Sequence, residues 1–248
     1  MALGEDGVAV LTLDRPDKRN ALTAAMWAAL PELLRRLAEE PGLRVLLVTG
    51  TGGTFSAGAD ISELQGVYSD PATADAYHAV NVLAEEALAA FPRPTLAVVR
   101  GACVGGGCQL AVACDLRFAA PGARLGITPA KLGIVYPAVP TARLARLLGP
   151  ARAKYLLFSG ELLTAAEALV FGLVEEVAED VEARALEFAG TLASRSAQTQ
   201  GAVKDVVTAV SGGRDPQSAV AAWERASRTA PDVAEGLAAF LERRAPRF

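Results

Sequence analysis

The sequence predicts an α/β fold: a layer of strand–helix units followed by a helical C-terminal region. Three apolar runs rich in β-branched residues, at 8–13, 44–49 and 94–99, read as strands, and helical patterns separate them. That alternation favours parallel pairing, because parallel neighbours need a crossover between them. Beyond Asp180 every periodic segment is helical. The 248 residues therefore divide into an α/β core over 1–190 and a C-terminal helical region over 191–248.

The first run alternates along its length and stops at Asp14-Arg15-Pro16-Asp17-Lys18. Thr23 is placed as the N-cap of a helix reaching about Glu40, where Pro41-Gly42 ends it. The buried strand at 44–49 leads into a long glycine-rich loop over 50–60. A helix around 75–90 precedes the strand at 94–99, and two short strands are expected at 116–119 and 123–127. From Pro140 the pattern is mainly helical. It is interrupted by residues 173–177, which fit one last strand, and by Gly212-Gly213-Arg214-Asp215-Pro216.

Composition removes several classes of function. The chain is 52% hydrophobic and 21% charged, ordinary for a globular enzyme, and its net charge of −4 comes without a basic run. Nucleic acid is therefore not an expected partner, and Arg35, Arg36, Arg143 and Arg146 are assigned to solvated helix faces. No apolar segment is long enough to span a bilayer, and the acidic start lacks the regions of a signal peptide. A cytoplasmic location with no membrane partner is expected. Cys103, Cys108 and Cys114 are odd in number and lack metal-ligand spacing, so they read as buried, inert thiols, and no metal is expected.

The most informative segment is Gly105-Gly106-Gly107-Cys108-Gln109, between the strand at 94–99 and the helical pattern Leu110-Ala111-Val112-Ala113. Adjacent glycines at such a junction expose backbone N–H groups at the positive end of a helix, where negative charge on an oxygen is stabilised. A second glycine-rich loop, residues 50–58, also follows a buried strand, so a composite anion site is expected. Neither loop has the spacing of a dinucleotide fingerprint or a P-loop.

Several motifs follow one another along the chain: Arg15-Pro16-x-x-x-Asn20-Ala21-Leu22, Phe55-Ser56-Ala57-Gly58-Ala59-Asp60-Ile61, and the glycine triplet continuing to Cys114-Asp115. Leu132-Gly133, Arg143-Leu144, Gly172-Leu173-Val174 and Glu235-Gly236-x-x-Ala239-Phe240-Leu241-Glu242-x-Arg244 come after them. In order and spacing they resemble the enoyl-CoA hydratase/isomerase (crotonase) superfamily, and the resemblance covers nearly the whole chain. It implies a crotonase-like spiral of ββα units with C-terminal helices that assemble a homotrimer or a dimer of trimers. It also implies an acyl-CoA thioester as ligand, with coenzyme A part of the substrate and no further cofactor. The thioester oxygen would lie between the backbone N–H groups of Ala59 and Gly106. Arg19, Asn20, Leu22, Ala57, Asp60 and Ile61 would run along the coenzyme, with Gly105, Thr128 and Pro129 near the acyl end. Phe240 and Arg243 would reach a neighbouring subunit's nucleotide.

Two positions depart from the family's hydratases, which work with a pair of glutamates. Here those positions align with Gln109 and Pro129, neither of which exchanges a proton. Among other candidates, Asp60 reads as a loop cap, Asp115 as a structural ion pair, and Glu63 as a helix-start residue. His78, the only histidine, reads as a helical residue beside the acyl pocket. Tyr136, in Thr128-Pro129-x-x-Leu132-Gly133-x-x-Tyr136, resembles a tyrosine of the methylmalonyl-CoA decarboxylase branch that contacts the substrate carboxylate. That branch carries a histidine where this chain has Ala59, and it differs at Gln109. The expectation is a lyase that stabilises a thioester enolate, with decarboxylation of a malonyl-type CoA favoured and Ala59, Gly106, Gln109 and Tyr136 as its catalytic positions. The alternatives are a hydratase or isomerase using an unaligned base such as Glu63 or His78, and a non-catalytic acyl-CoA-binding protein.

Overall fold

A computed structural model describes residues 2–4 and 6–248, the first two by their backbone alone. The strand–helix alternation appears as β2 (Val8–Leu13), α1 (Ala24–Ala38), β3 (Val45–Gly50), α2 (Ile61–Val67), α3 (Pro71–Ala89) and β4 (Thr95–Val99). It continues with β5 (Ala102–Val104), α4 (Gly106–Ala113), β6 (Leu116–Ala119), β7 (Arg124–Gly126), α5 (Ala138–Leu148), α6 (Pro150–Ser159), β8 (Leu163–Thr164), α7 (Ala165–Phe171) and β9 (Glu176–Val177). A two-residue strand, β1 (Ala2–Leu3), precedes them, and α8 (Val181–Ala193), α9 (Ala197–Ser211), α10 (Gln217–Ser227) and α11 (Pro231–Glu242) follow.

Strands β2, β3, β4, β6 and β9 pair in that order, all parallel, with β1 antiparallel at one edge. A second sheet, β5-β7-β8, lies outside this order. The strand period of two sorts the side chains. Val45, Leu47, Leu96 and Val98 face α8 through Val181, Ala185 and Ala189. Leu46, Val48, Ala97 and Val99 belong to the larger core, with Trp27, Leu30, Leu88 and Leu110 from the helices. Both central strands are thus covered on two faces, which is why they read as continuous apolar runs.

Local signals set most boundaries. Thr23 caps α1 by accepting from Met26 N at 3.2 Å, as expected. Helix α3 starts earlier than its apolar pattern, because Asp70 accepts from Thr73 N at 2.9 Å and Pro71 occupies the first helical position. The strand expected over 173–177 shrinks to β9, since Leu173 and Val174 turn into the core instead of pairing. The division expected at 190/191 falls inside α8.

Beyond α8, the C-terminal helices touch the core at few points. Lys204 on α9 pairs with Asp115 at 2.7 Å, and Gly201 lets the Trp223 ring of α10 approach, where a Cβ would meet it at 2.9 Å. On α11, Phe240 and Leu241 are 82% and 81% exposed. Among the described residues no helix is long and apolar enough to cross a membrane.

One buried cation ties the last strand to the sheet. Arg117 on β6 is 2% exposed and donates to the carbonyls of Leu173 and Cys114, each at 2.8 Å, and to the Glu175 carboxylate. It was not singled out from the sequence. Replacing Arg117 by Met would leave those acceptors without their donor, and we expect a loss of about 3 kcal/mol in urea unfolding.

Candidate active site

Three segments meet at the C-terminal ends of β2, β3 and β4: residues 19–22, 55–60 and 101–107. The middle segment is hydrogen-bonded on both edges. On one side Ser56 pairs with Cys103, through Ser56 N to Ala102 O at 2.8 Å and Val104 N to Ser56 O at 3.0 Å. On the other, Leu22 pairs with Ala59, through Leu22 N to Gly58 O at 2.7 Å and Asp60 N to Leu22 O at 2.9 Å. Ala59 N–H itself finds no acceptor among the described residues. Neither does Gly106 N–H, which opens α4, while Gly105 N is taken by Gly126 O at 2.8 Å.

Glycine is required for this approach. Gly105 has φ +53° and ψ −119°, a conformation closed to residues with a Cβ. At Gly106 a Cβ would meet the Trp27 ring at 2.8 Å, and at Gly107 it would meet the Ser56 Cβ at 2.6 Å.

A cavity lies against both free amides, walled by α2, α3 and residues 128–137. Of the expected site residues, Ala57, Ala59, Ile61, Gly105, Gly106, Gln109, Thr128, Pro129 and Tyr136 all line it. No carboxylate, lysine or arginine does so among the described residues. The Tyr136 hydroxyl is buried without a partner, and burial pushes it well above the usual phenol range. His78 lines the cavity with its Nε2 2.9 Å from the Tyr68 hydroxyl. Of the described residues that line the cavity, Tyr136, Asn81 and Trp27 each bury a polar side-chain atom without a hydrogen-bond partner: Tyr136 Oη, Asn81 Oδ1 and Trp27 Nε1.

Other expected residues do different work. Asn20 and Leu22, expected along the coenzyme, are fully buried. The Asn20 side chain is a staple, donating to Thr54 O at 2.6 Å and Thr51 O at 2.9 Å and accepting from Arg15 N at 2.9 Å. Both backbone polar groups of Leu22 are used in its pairing with the middle segment. Asp60 lies behind the wall as the N-cap of α2; hydrogen bonds from Ser62 and from Arg15 hold it below the usual carboxylate range. Arg19 is exposed, and its carbonyl accepts from Ala57 N at 2.9 Å. Phe240 and Arg243 end α11 and are not among the cavity residues.

Glu63 also stands outside the cavity, accepting from Ala24 N at 2.7 Å at the start of α1. The three cysteines are buried; burial raises the Cys103 thiol and pushes Cys114 up to about 12.

One neighbour of the site was missed in the sequence. Glu85 on α3 is fully buried, with Oε2 accepting from Gln109 Nε2 at 2.9 Å and Oε1 from Arg143 Nε at 2.6 Å. Burial raises its pKa, against the opposing pull of Arg143 and Gln109. Arg143, assigned to a solvated face, instead reaches inward to this carboxylate and also pairs with Glu86. A helical stripe through Tyr77, Asn81, Ala84 and Leu88 was the available signal, since position 85 falls within it.

The chain matches the enoyl-CoA hydratase/isomerase family over residues 4–248. A Thermus thermophilus protein provisionally named an enoyl-CoA hydratase is 38% identical over 248 residues, 97% of each chain. A crotonyl-CoA hydratase of Syntrophomonas wolfei is 33% identical over 256 residues, covering 98% of this chain and 95% of that one. A solved structure from Hyphomonas neptunium, provisionally assigned to the same family, has a TM-score of 0.93 at 37% identity, covering 98% of this chain and 94% of its own. Sequence and fold agree from one end of the described chain to the other, and the protein belongs to the enoyl-CoA hydratase/isomerase (crotonase) superfamily.

Proposed function

We propose that this acyl-CoA enzyme is a lyase that removes CO2 from a malonyl-type thioester. The observation that carries the reading is a pair of amides, Ala59 N and Gly106 N, without acceptors among the described residues, facing a cavity that no carboxylate, lysine or arginine of those residues lines. Two fixed donors suit an oxyanion, which gains most from them in a dry site. Adding water across a double bond needs a general base and acid, and the amide of Gln109 and the ring of Pro129 supply neither.

Decarboxylation asks less of the wall. The thioester oxygen accepts from Ala59 and Gly106, and the substrate's carboxylate accepts from the Tyr136 hydroxyl. The bond from C2 to the carboxylate breaks, its electron pair passes through C2 to the thioester oxygen, and neutral CO2 leaves. A proton then returns to C2 from Tyr136 or water. Arg19, exposed beside the middle segment, and Arg243 of a neighbouring subunit are assigned to the coenzyme's phosphates. The exposed Phe240 and Leu241 of α11 support a homotrimer or dimer of trimers, which sedimentation will test; a monomer would exclude it.

A second reading, hydration or isomerisation, is favoured by one observation: His78, bonded to Tyr68, stands on the cavity wall. Malonyl-, methylmalonyl- and crotonyl-CoA, each followed by mass spectrometry for CO2 loss, water addition and deuterium uptake at C2, separate the readings. Efficient hydration of crotonyl-CoA with the malonyl thioesters untouched sinks the lyase. Binding without any turnover leaves a passive acyl-CoA protein.

Two variants sharpen the test. Ala59→Pro deletes one oxyanion donor, and we expect kcat to fall by roughly 10²–10³-fold. Gln109→Glu, which restores a family carboxylate, sets it against Glu85, so the two must share a proton. Their folded-state pKa is raised, so the variant's stability is retained below the ordinary carboxylate pKa and lost as pH rises. Its deficit in Tm against the parent should widen between about pH 5 and about pH 8, by the equivalent of roughly 2 kcal/mol.

A further inference from the structure

Glu85 uses both of its oxygens, one on Arg143 and one on Gln109. Both oxygens accept in this geometry, and with the Arg143 guanidinium on one of them the other takes the donor end of the Gln109 amide. The reversed amide would set two acceptor oxygens against each other at the same separation. Gln109 Nε2 is committed to Glu85, Gln109 Oε1 receives no hydrogen bond from any described residue, and Gln109 lines the cavity, so the free end of the amide is its oxygen. Arg143 does not line that cavity and divides its charge between Glu85 and Glu86. The ion pair therefore presents its negative end toward the acyl subsite, through a carbonyl oxygen.

We propose that Glu85 is a positioning residue for decarboxylation: by holding the Gln109 oxygen toward the acyl end, it weakens the cavity's grip on the substrate's carboxylate while sparing the thioester that remains after CO2 has left. This rests on the lyase reading above. As the bond at C2 breaks, negative charge moves from the carboxylate toward Ala59 and Gly106, away from Gln109. The repulsion present in the bound substrate is thus relieved in the transition state, so it raises kcat while weakening binding.

The test is steady-state kinetics of the full-length protein with malonyl-CoA. Glu85→Gln keeps the size and the Arg143 contact, and its amide donates to Gln109, which can then turn its own nitrogen to the cavity. We expect KM and kcat to fall together by about tenfold, with kcat/KM changing less than about threefold. Inhibition by acetyl-CoA should stay within about twofold, because the product carries no carboxylate. Gln109→Leu removes the oxygen without touching Arg143 and should give the same split, so the proposal survives a Glu85→Gln that fails to fold. A KM that rises or holds while kcat falls, in the folded variants, overturns it as a purely structural contact would. If the parent protein releases no CO2 from malonyl- or methylmalonyl-CoA, the lyase reading itself falls. CO2 release without the split overturns only the role of Glu85.

Discussion

The site depends on one constraint: residues 55–60 must be hydrogen-bonded to neighbours on both edges at once. Pairing with 102–104 fixes the segment against the loop after β4, and pairing with Leu22 fixes it against the loop after β2. Leu22 takes the Gly58 carbonyl and the Asp60 amide, so the Ala59 N–H between them points away from Leu22, and on its other side no acceptor among the described residues meets it. The Gly106 amide is brought beside it only because backbone, not side chain, meets Ser56 and Trp27. Asn20 holds the third loop, at φ +55°, where its carboxamide satisfies two carbonyls and one amide. The free donors are a by-product of satisfying everything around them.

That origin has an energetic consequence. Donors held by sheet-like pairing need no reorganisation when charge develops on an oxygen in front of them. The wall they face adds polarity without formal charge. Tyr136 and Gln109 are neutral, and two carboxylates beside it, Asp60 and Glu85, are tied to Arg15 and Arg143. In so weakly screened a space, two neutral amides dominate the potential an oxyanion feels.

The sequence made the fold legible where one physical rule governs a segment. Strands β3 and β4 are covered on both faces, so their apolar runs are unbroken, and Thr23 and Pro41-Gly42 bracket α1 through local chemistry. The three-residue β5 and two-residue β8 were not legible, because strands so short carry no period and exist only through pairing with β7. In the site, the glycine triplet was legible because backbone geometry demands glycines at such a junction, whereas Ala59 was legible only through the family resemblance. Glu85 was not: a carboxylate on a helix reads as solvated until its partner is seen, and Arg143 lies 58 residues away along the chain. Asn20 shows the converse, since a polar residue in a motif says nothing about whether its hydrogen bonds go to a ligand or to the fold, and here the side chain bonds to the backbone of neighbouring loops.

Glu85 also changes what the glutamine at 109 means. Read alone, Gln109 is a carboxylate lost from the wall. Beside a buried carboxylate 2.9 Å away, it donates a hydrogen bond to that carboxylate, as Arg143 does, where a second acid would compete for a proton. The carboxyl group has therefore moved from the cavity surface to a position behind it, where it acts on the substrate through Gln109 and the field of its pair with Arg143. Of the two ways in which such a wall can lower a barrier, moving a proton or rearranging where charge is comfortable, this arrangement favours the second. A reaction whose difficult step is the migration of charge from a carboxylate to a thioester oxygen, with a proton needed only afterwards, fits that wall better than one that must abstract a proton first.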